Sequence, residues 1–463
     1  MKWTQFPRIE IGKKGVVEGR IVAVPISPTQ GVAREMVGTA PMDDRFFESR
    51  GTRLIEYKNK LIIAVAVRGP EDARMFGASA WKAAEQFLGP VKFHLVPDFL
   101  PEGEVLEGAL LASYRFGKYK TKADERPWIV FHGSENLVER ITAKVRGVFV
   151  ARDISNEPGN TLYPESLAET VRDAFGGTRV EVEVHPFDWL KQKGFGGMVA
   201  VGQGSTNKPR LIVMTYLKGG DHRTKLIVGK GVTFDTGGIN LKPTEHINGM
   251  KLDVCGAAAV IGAMWAIQAM DLPLNVVALV PAAENMPGSE ATRPSDIITM
   301  YNGKTVEVTN TDAEGRLILA DALAYGIERF SPDAVVDLAT LTGACSVALG
   351  KRVAGILGNH KGLTKDLIDA GEKEGEKIWE LPMFDHYLED MKSEVADLAN
   401  ASKERYAGAC NAAKFLEQFV GGHKWAHLDI AGPASAESEW EWNPKGGTGF
   451  GVKTLVNWLS MRT

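Results

Sequence analysis

The sequence predicts an α/β protein built on a largely parallel sheet covered by helices. Three observations carry this. Arg210–Leu217, Lys225–Val228, Asn275–Val280 and Ala334–Asp337 are continuous apolar runs, the pattern of strands buried on both faces. Helical patterns at Ala257–Met270 and Ala320–Phe330 alternate with them, as in βα folds. The chain has 463 residues, enough for two or three domains at about 150 residues each.

Taken in order, Arg20–Ile26 and Leu61–Val67 are β-branched runs that predict strands. Asp72–Phe87 has helical periodicity, with Met75, Phe76, Ala80 and Ala84 on one side. Trp128–Phe131 reads as a short strand. A long helix is expected over 136–156, ending in Asn-Glu-Pro-Gly, a stop signal. A domain boundary is expected near residue 145, dividing the chain into 1–145 and 146–463. No repeat of fixed period and no Ser/Pro-rich hinge interrupts the pattern.

Composition narrows the function. Hydrophobic residues are 44% and charged residues 24%, which excludes a disordered or fibrous chain. Lys plus Arg is 54 and Asp plus Glu is 58, for a net charge of −4, which gives no support to nucleic acid as the main partner. Cys255, Cys345 and Cys410 are odd in number and widely spaced, as expected of buried thiols in a reducing compartment. The first eight residues lack the apolar run of a signal peptide. The apolar stretch Gly256–Met270 is too short to span a bilayer and predicts a buried helix. The expectation is a cytoplasmic protein with no membrane partner.

In sheets of this kind the chemistry sits in loops beyond the carboxyl ends of the strands. Three such loops carry unusual polar residues. The first, Gly229–Pro243, holds Lys230, Asp235 and Lys242 in a glycine-rich turn. The second, Met250–Asp253, places Asp253 just before the apolar helix. The third is Asn310-Thr311-Asp312-Ala313-Glu314-Gly315-Arg316-Leu317. If extended, it points Asp312, Glu314 and Arg316 to one face. Asp235, Asp253, Asp312 and Glu314 with one lysine amine make an oxygen-rich site whose charge two divalent cations would neutralise. The lysine can coordinate only when deprotonated, and adjacent cations push its pKa down. Such donors accept Mg²⁺, Mn²⁺ or Zn²⁺, and paired metals activate water. Alone, each acid reads as a helix cap, a turn residue or part of a surface ion pair. Together they fit one constellation.

Other motifs are weaker. Gly202-Gln203-Gly204-Ser205 lacks the third glycine of a dinucleotide fingerprint, and Gly229-Lys230-Gly231 lacks P-loop spacing. His246, His360, His423 and His427 form no helical ligand pair and are expected to be structural or exposed. Cys255 reads as a buried thiol in the helix after Asp253. No nucleophile elbow is present.

With these residues in hand, the chain resembles the leucyl aminopeptidase group (cytosol aminopeptidase, peptidase family M17). Asn310–Leu317 matches that family's signature octapeptide. Gly229–Pro243 and Met250–Ala258 match its other metal loops in order and spacing. The likeness continues through Asp337–Ala344, Glu394–Asn400 and Trp425–Gly432. It covers about residues 145–463, and the first third follows only in outline. Two segments depart from the pattern: Thr244–Gly249 before Met250, and Asn411, where an apolar residue or Thr is more usual.

The resemblance implies a small N-terminal α/β domain, concerned with assembly and access, and a catalytic α/β domain with a central mixed, largely parallel sheet. It implies a metalloexopeptidase releasing N-terminal residues, Leu or other apolar ones preferred, from peptides with a free N-terminus. Lys230, Asp235, Asp253, Asp312 and Glu314 would be metal ligands for two divalent ions, Mn²⁺ or Zn²⁺, with Asp235 and Glu314 shared. Lys242 would polarise the scissile carbonyl and hold the gem-diolate oxygen. Arg316 would hold a bicarbonate ion acting as general base. Met250, Thr340, Gly343 and Ala431 would line the pocket for the first side chain, and backbone groups of Leu341 and Gly343 would hold the peptide. A homohexamer is the implied assembly. Two other readings remain: a two-metal phosphoesterase, since paired metals also serve phosphoryl chemistry, and a non-enzymatic DNA-binding role, against which the acidic net charge counts.

Overall fold

The computed structural model describes all residues except 2, 13–19, 29–43, 89–90, 123–125, 222 and 462–463. The chain divides into two compact units, one of Lys2–Phe149 with Ser438–Lys445, the other of Val150–Glu437 with Met1 and Gly446–Thr463. The helix Glu135–Asn156 runs from the first unit into the second.

Among the described residues the first unit holds a six-stranded sheet. Its order is Ile9–Ile11, Trp128–Phe131, Lys92–Leu95, Ile21–Ile26, Lys60–Ala66, Thr52–Tyr57. All pairings are parallel except that of Thr52–Tyr57, which is antiparallel. The expected helix is present as Ala73–Leu88. Phe76, Ala80 and Ala84 are fully buried, while Met75 lies at the edge of the buried stripe, half-exposed.

The second unit holds a nine-stranded sheet among the described residues. Its order is Lys377–Glu380, Val353–Gly358, Trp425–Asp429, Ala334–Ala339, Lys225–Gly229, Asn275–Asn285, Arg210–Leu217, Glu181–His185, with Gly231–Asp235 also pairing Asn275–Asn285. The sheet is mixed and largely parallel. The strands beginning at 225, 231, 275, 334 and 425 run the same way. The apolar runs end up where continuous hydrophobicity requires, since Lys225–Gly229, Asn275–Asn285 and Ala334–Ala339 are buried along their whole length.

The central helix Cys255–Ala269 is buried at every position except Trp265, Gln268 and Ala269, as expected of a helix that is apolar all round. It continues a 3₁₀ turn, Met250–Val254. The combined run Met250–Ala269 is therefore longer than the apolar stretch alone, and reaches the length and hydropathy needed to cross a membrane. Yet 78% of its most apolar window is buried inside the protein, so it is a core helix. The three cysteines are free and buried.

Candidate dinuclear metal site

Parallel strands bring their carboxyl ends to one edge of the sheet, and the polar loops gather there. Lys230 follows Lys225–Gly229 directly, and Asp235 closes the strand Gly231–Asp235. The Gly229–Pro243 segment is thus a strand in its first part and a turn only afterwards, because residues 231–235 pair in parallel with the end of Asn275–Asn285. Asp253 sits in the 3₁₀ turn ahead of the core helix. Thr340 follows Ala334–Ala339, and Asp429 ends Trp425–Asp429.

The octapeptide corrects the expectation of an extended row. Glu314–Phe330 is a helix with Ala313 at its N-cap, and Asp312 lies in the turn before it. The apolar periodicity that begins at Leu317 carries the helix back to its first turn, where a carboxylate such as Glu314 is favoured by the backbone dipole. Residues two apart on a helix diverge, so Arg316 points away from Glu314. Arg316 Nη1 donates instead to the Asn400 carbonyl at 2.8 Å. A cation in the first turn opposes the dipole by about 0.3–1 kcal/mol. A charge-assisted hydrogen bond contributes about 1.5–3 kcal/mol, so the bond to Asn400 prevails.

The four carboxylates converge. Lys230 Nζ stands 2.9 Å from Asp253 Oδ2 and 2.8 Å from Glu314 Oε1, and donates to the Thr340 carbonyl at 2.9 Å. Lys242 Nζ is 2.8 Å from Asp235 Oδ2 and also pairs with Asp312 Oδ1. Ligand oxygens of Asp235, Asp312 and Glu314 lie within 4.8 Å of one another. Lys230, Asp235 and Glu314 are at most 3% exposed. Gly315 makes room for the lysine, since a Cβ there would lie 2.7 Å from Lys230 Nζ. Gly237 has φ 88°, a left-handed backbone that glycine supplies without strain, and its N–H donates to Asp235 Oδ1 at 2.9 Å.

Four carboxylates face two ammonium groups, so the cluster carries an acidic excess in a buried place. The pKa values register this. Burial first, then the Asp235 charge, pushes Glu314 up to about 8. Burial pushes Asp253 up to about 6, against the pull of Lys230. Asp312 is raised by burial and by Asp235. Burial works to lower Lys230, but Asp253, Glu314 and Asp235 outweigh it and hold the amine above the ordinary lysine range. Glu314 Oε2 is buried with no hydrogen-bond partner. An orphaned carboxylate oxygen inside an acidic cluster is what a cation site requires, so the donor set fits divalent metal.

Thr340, expected to line the substrate pocket, and several residues that the sequence did not single out hold this arrangement. Asn285 Nδ2 donates to Asp235 Oδ1 at 2.8 Å and to the Thr311 carbonyl at 3.1 Å. Thr340 Oγ1 donates to Asp253 Oδ1 at 2.6 Å. Asn400 ties the octapeptide loop through Thr309 N–H at 2.8 Å and the Asn310 carbonyl at 2.7 Å. Asp429 accepts from Thr342 Oγ1 at 2.6 Å and from the N–H groups of Leu341 and Ala431 at 3.3 and 3.2 Å. A polar residue ending a wholly buried strand, as Asn285 and Asp429 do, is the signal that could have found them.

The residues expected to line the substrate pocket lie on the same unit. Met250 opens the 3₁₀ turn that carries Asp253. Thr340, Leu341 and Ala431 are half-buried just beyond two strand ends. Gly343 is exposed, with nothing within 4 Å of the place a Cβ would take. Among the histidines, His360 caps the helix Lys361–Glu374, His246 is exposed and His427 is buried.

The cytosol aminopeptidase family, catalytic domain, matches residues 149–456. The chain belongs to the cytosol aminopeptidase family. A probable cytosol aminopeptidase of Syntrophotalea carbinolica is 47% identical over 369 residues, covering 77% of this chain and 74% of the relative. One from Roseiflexus castenholzii is 46% identical over 387 residues, covering 81% and 79%. Among solved structures, the cytosol aminopeptidase of Coxiella burnetii superposes with TM-score 0.86 at 30% identity, covering 97% of this chain and 98% of that one. The bottromycin maturation enzyme BotP in complex with Mn superposes with TM-score 0.85 at 33% identity, covering 95% and 99%. The family is dinuclear metal-dependent, and this chain is a metal-dependent aminopeptidase of leucyl aminopeptidase type, with peptides as substrates. The phosphoesterase and DNA-binding readings are set aside.

Proposed function

We propose that Lys230, Asp235, Asp253, Asp312 and Glu314 would hold two divalent ions. The observation that carries this is the partnerless, buried Glu314 Oε2 within a cluster of four carboxylates. When bound, the ions supply Lewis acidity and an activated water at neutral pH. Mn²⁺ and Zn²⁺ both suit this donor set, and the Mn complex of BotP supports the former.

The chain's own residues then have distinct tasks. The Lys242 ammonium, 15% exposed and beside Asp235 and Asp312, donates to the scissile carbonyl oxygen as negative charge develops there. In the metal-free protein burial works to lower its pKa, but Asp235 and Glu314 outweigh burial and hold the amine above the usual lysine range. Arg316 holds bicarbonate, which supplies a general base. Lys230 must release its proton to ligate, so metal loading releases protons. The free α-amine of the peptide would bind one of the ions, which accounts for the requirement for an unblocked N-terminus.

Met250, Thr340, Gly343 and Ala431 line the pocket for an apolar first side chain, Leu among them. Backbone groups of Leu341 and Gly343 hold the peptide. The Leu341 N–H is engaged by Asp429, so its carbonyl is the group free to act. The protein works in the cytoplasm as a homohexamer, and residues 1–145 serve assembly and access. A panel of Leu-, Phe-, Lys- and Glu-p-nitroanilides, with p-nitrophenyl phosphate alongside, tests the preference. Leu and Phe substrates are expected to dominate. Preferred cleavage of the Glu substrate or of the phosphate ester overturns it. Sedimentation is expected to give six chains, and a monomer contradicts the assembly.

A further inference from the structure

His427 is a buried titratable group to which the mechanism above gives no task. It is 1% exposed, in the middle of the strand Trp425–Asp429. Its Nδ1 lies 2.6 Å from Asp337 Oδ1, while Asp337 Oδ2 accepts from Trp425 Nε1 at 2.7 Å. A carboxylate can only accept, so Nδ1 carries the proton and the ring is fixed by its neighbour. That leaves Nε2 buried, without a hydrogen-bond partner.

The neighbouring Arg316 has the same incompleteness. Its Nη1 is held by the Asn400 carbonyl, but its Nε is buried and unpartnered. Burial and the Arg316 charge work to lower the His427 pKa, but Asp337 and Asp429 outweigh them and hold it above the ordinary imidazole value. A third orphan comes from the helix Gly408–Glu417, which packs against both the helix Glu314–Phe330 and the strand Trp425–Asp429. There Asn411 is 1% exposed, and its Nδ2 donates to the Tyr406 carbonyl at 3.2 Å, but its Oδ1 has no partner. Folded proteins seldom leave one buried polar atom unsatisfied. Three such atoms, on the helix Gly408–Glu417 and on the two elements it packs against, point to a shared ligand.

We propose that His427, locked by Asp337, is a positioning residue for Arg316, and that its Nε2 and the Arg316 Nε share one buried oxygen ligand. That ligand is either a water or an oxygen of the anion that Arg316 holds. Asn411 closes the same polar pocket. The inference rests on the aminopeptidase reading, with Arg316 acting beside the metals. It adds a buried His–Asp pair that fixes the guanidinium from behind, through hydrogen bonding rather than through contact with substrate.

Two variants separate this from a packing role. His427→Asn keeps an amide at the Nδ1 position facing Asp337 and removes the Nε2. His427→Gln places an amide near the Nε2 position and weakens the link to Asp337. The readouts are kcat and KM per metal-loaded chain, metal content and melting temperature. The expected result is a kcat lowered about 10- to 100-fold in His427→Asn, the range for groups that orient active-site residues, with KM and metal content unchanged. Substantial recovery is expected in His427→Gln. Wild-type kcat in His427→Asn, or a larger loss in His427→Gln than in His427→Asn, overturns the proposal. Repeating the assay in bicarbonate-free buffer names the ligand. A loss that persists identifies water, a loss that vanishes identifies the anion, and both support the shared site. If neither variant folds, Asp337→Asn decides: kcat per loaded chain must fall, and an unchanged value overturns the proposal. An inactive wild-type protein carrying two metals would instead defeat the underlying aminopeptidase reading, so the two failures are distinguishable.

Discussion

The two units build on similar sheets and put very different chemistry at the strand ends. In both, most strands run parallel, and their carboxyl ends therefore meet at one edge. In the first unit the chain leaves those ends through Val67, Val96 and His132. In the second it leaves through Lys230, Asp235, Thr340 and Asp429. Buried acids are also handled differently. Glu107, 1% exposed, is matched by Arg74 at 2.8 Å and by Lys144 at 2.5 Å. Asp72 is matched by Arg50 at 2.7 Å. In the second unit, four carboxylates share two lysines and one buried oxygen has no partner. A compensated buried acid is architecture, whereas an uncompensated group of them is a site waiting on cations.

The largest expected effect lies within the uncompensated cluster. Glu314→Ala should lower kcat/KM by more than about 10³-fold and reduce bound metal, since it removes the buried carboxylate whose oxygen is left for a cation. Lys242→Ala should lower kcat roughly 10²- to 10³-fold while metal content stays at the wild-type value. Metal analysis alongside kinetics separates the two, and loss of metal in Lys242→Ala would move that residue out of its proposed role. The compensated acid should behave in the opposite way. Glu107→Gln strands two cations and is expected to cost about 3 kcal/mol of stability. Its kcat per folded chain should not change, and a changed kcat would mean that the first unit acts on the chemistry directly.

The smaller effect is a pH dependence. The folded pKa of Glu314 is about 8 against an ordinary 4.5, and that of Asp253 is about 6 against 3.8. For acids raised in this way, the stabilisation is fully present below the unfolded value and is lost as pH rises through the folded one. Metal-free protein should therefore lose stability from about pH 4 to pH 8. Metal displaces the same protons, so its affinity should rise over that range. The gap in melting temperature between metal-loaded and metal-free protein should widen from pH 6 to pH 8. A gap that stays constant or narrows contradicts the assignment of these acids.

Much of this was legible in the sequence, for reasons that differ by element. Lys225–Val228, Asn275–Val280 and Ala334–Asp337 read as strands because burial on both faces leaves an unbroken apolar run. The site residues stood out because Lys, Asp and Glu are costly beside such runs unless they have work to do. What escaped was set by tertiary pairing. Gly231–Asp235 looked like a glycine-rich turn, and only its register with Ala282–Asn285 makes it a strand. The row Asp312, Glu314, Arg316 looked extended, but helix Glu314–Phe330 starts at its second acid and sends Arg316 to Asn400. The supporting hydrogen bonds of Asn285, Asn400 and Asp429 span up to 91 residues of sequence, as from Asn400 to Thr309. No local pattern announces contacts of that range.

The most direct test of the central claim is metal reconstitution. Protein stripped with chelator would be titrated with Mn²⁺, Zn²⁺, Mg²⁺ or Co²⁺ while hydrolysis of Leu-p-nitroanilide is followed, with Nα-acetyl-Leu-p-nitroanilide as control. Activity should return as two metals bind per chain, and only on the substrate with a free amine. Two bound metals with no activity on the free-amine substrate, or equal cleavage of the acetylated one, would contradict the account.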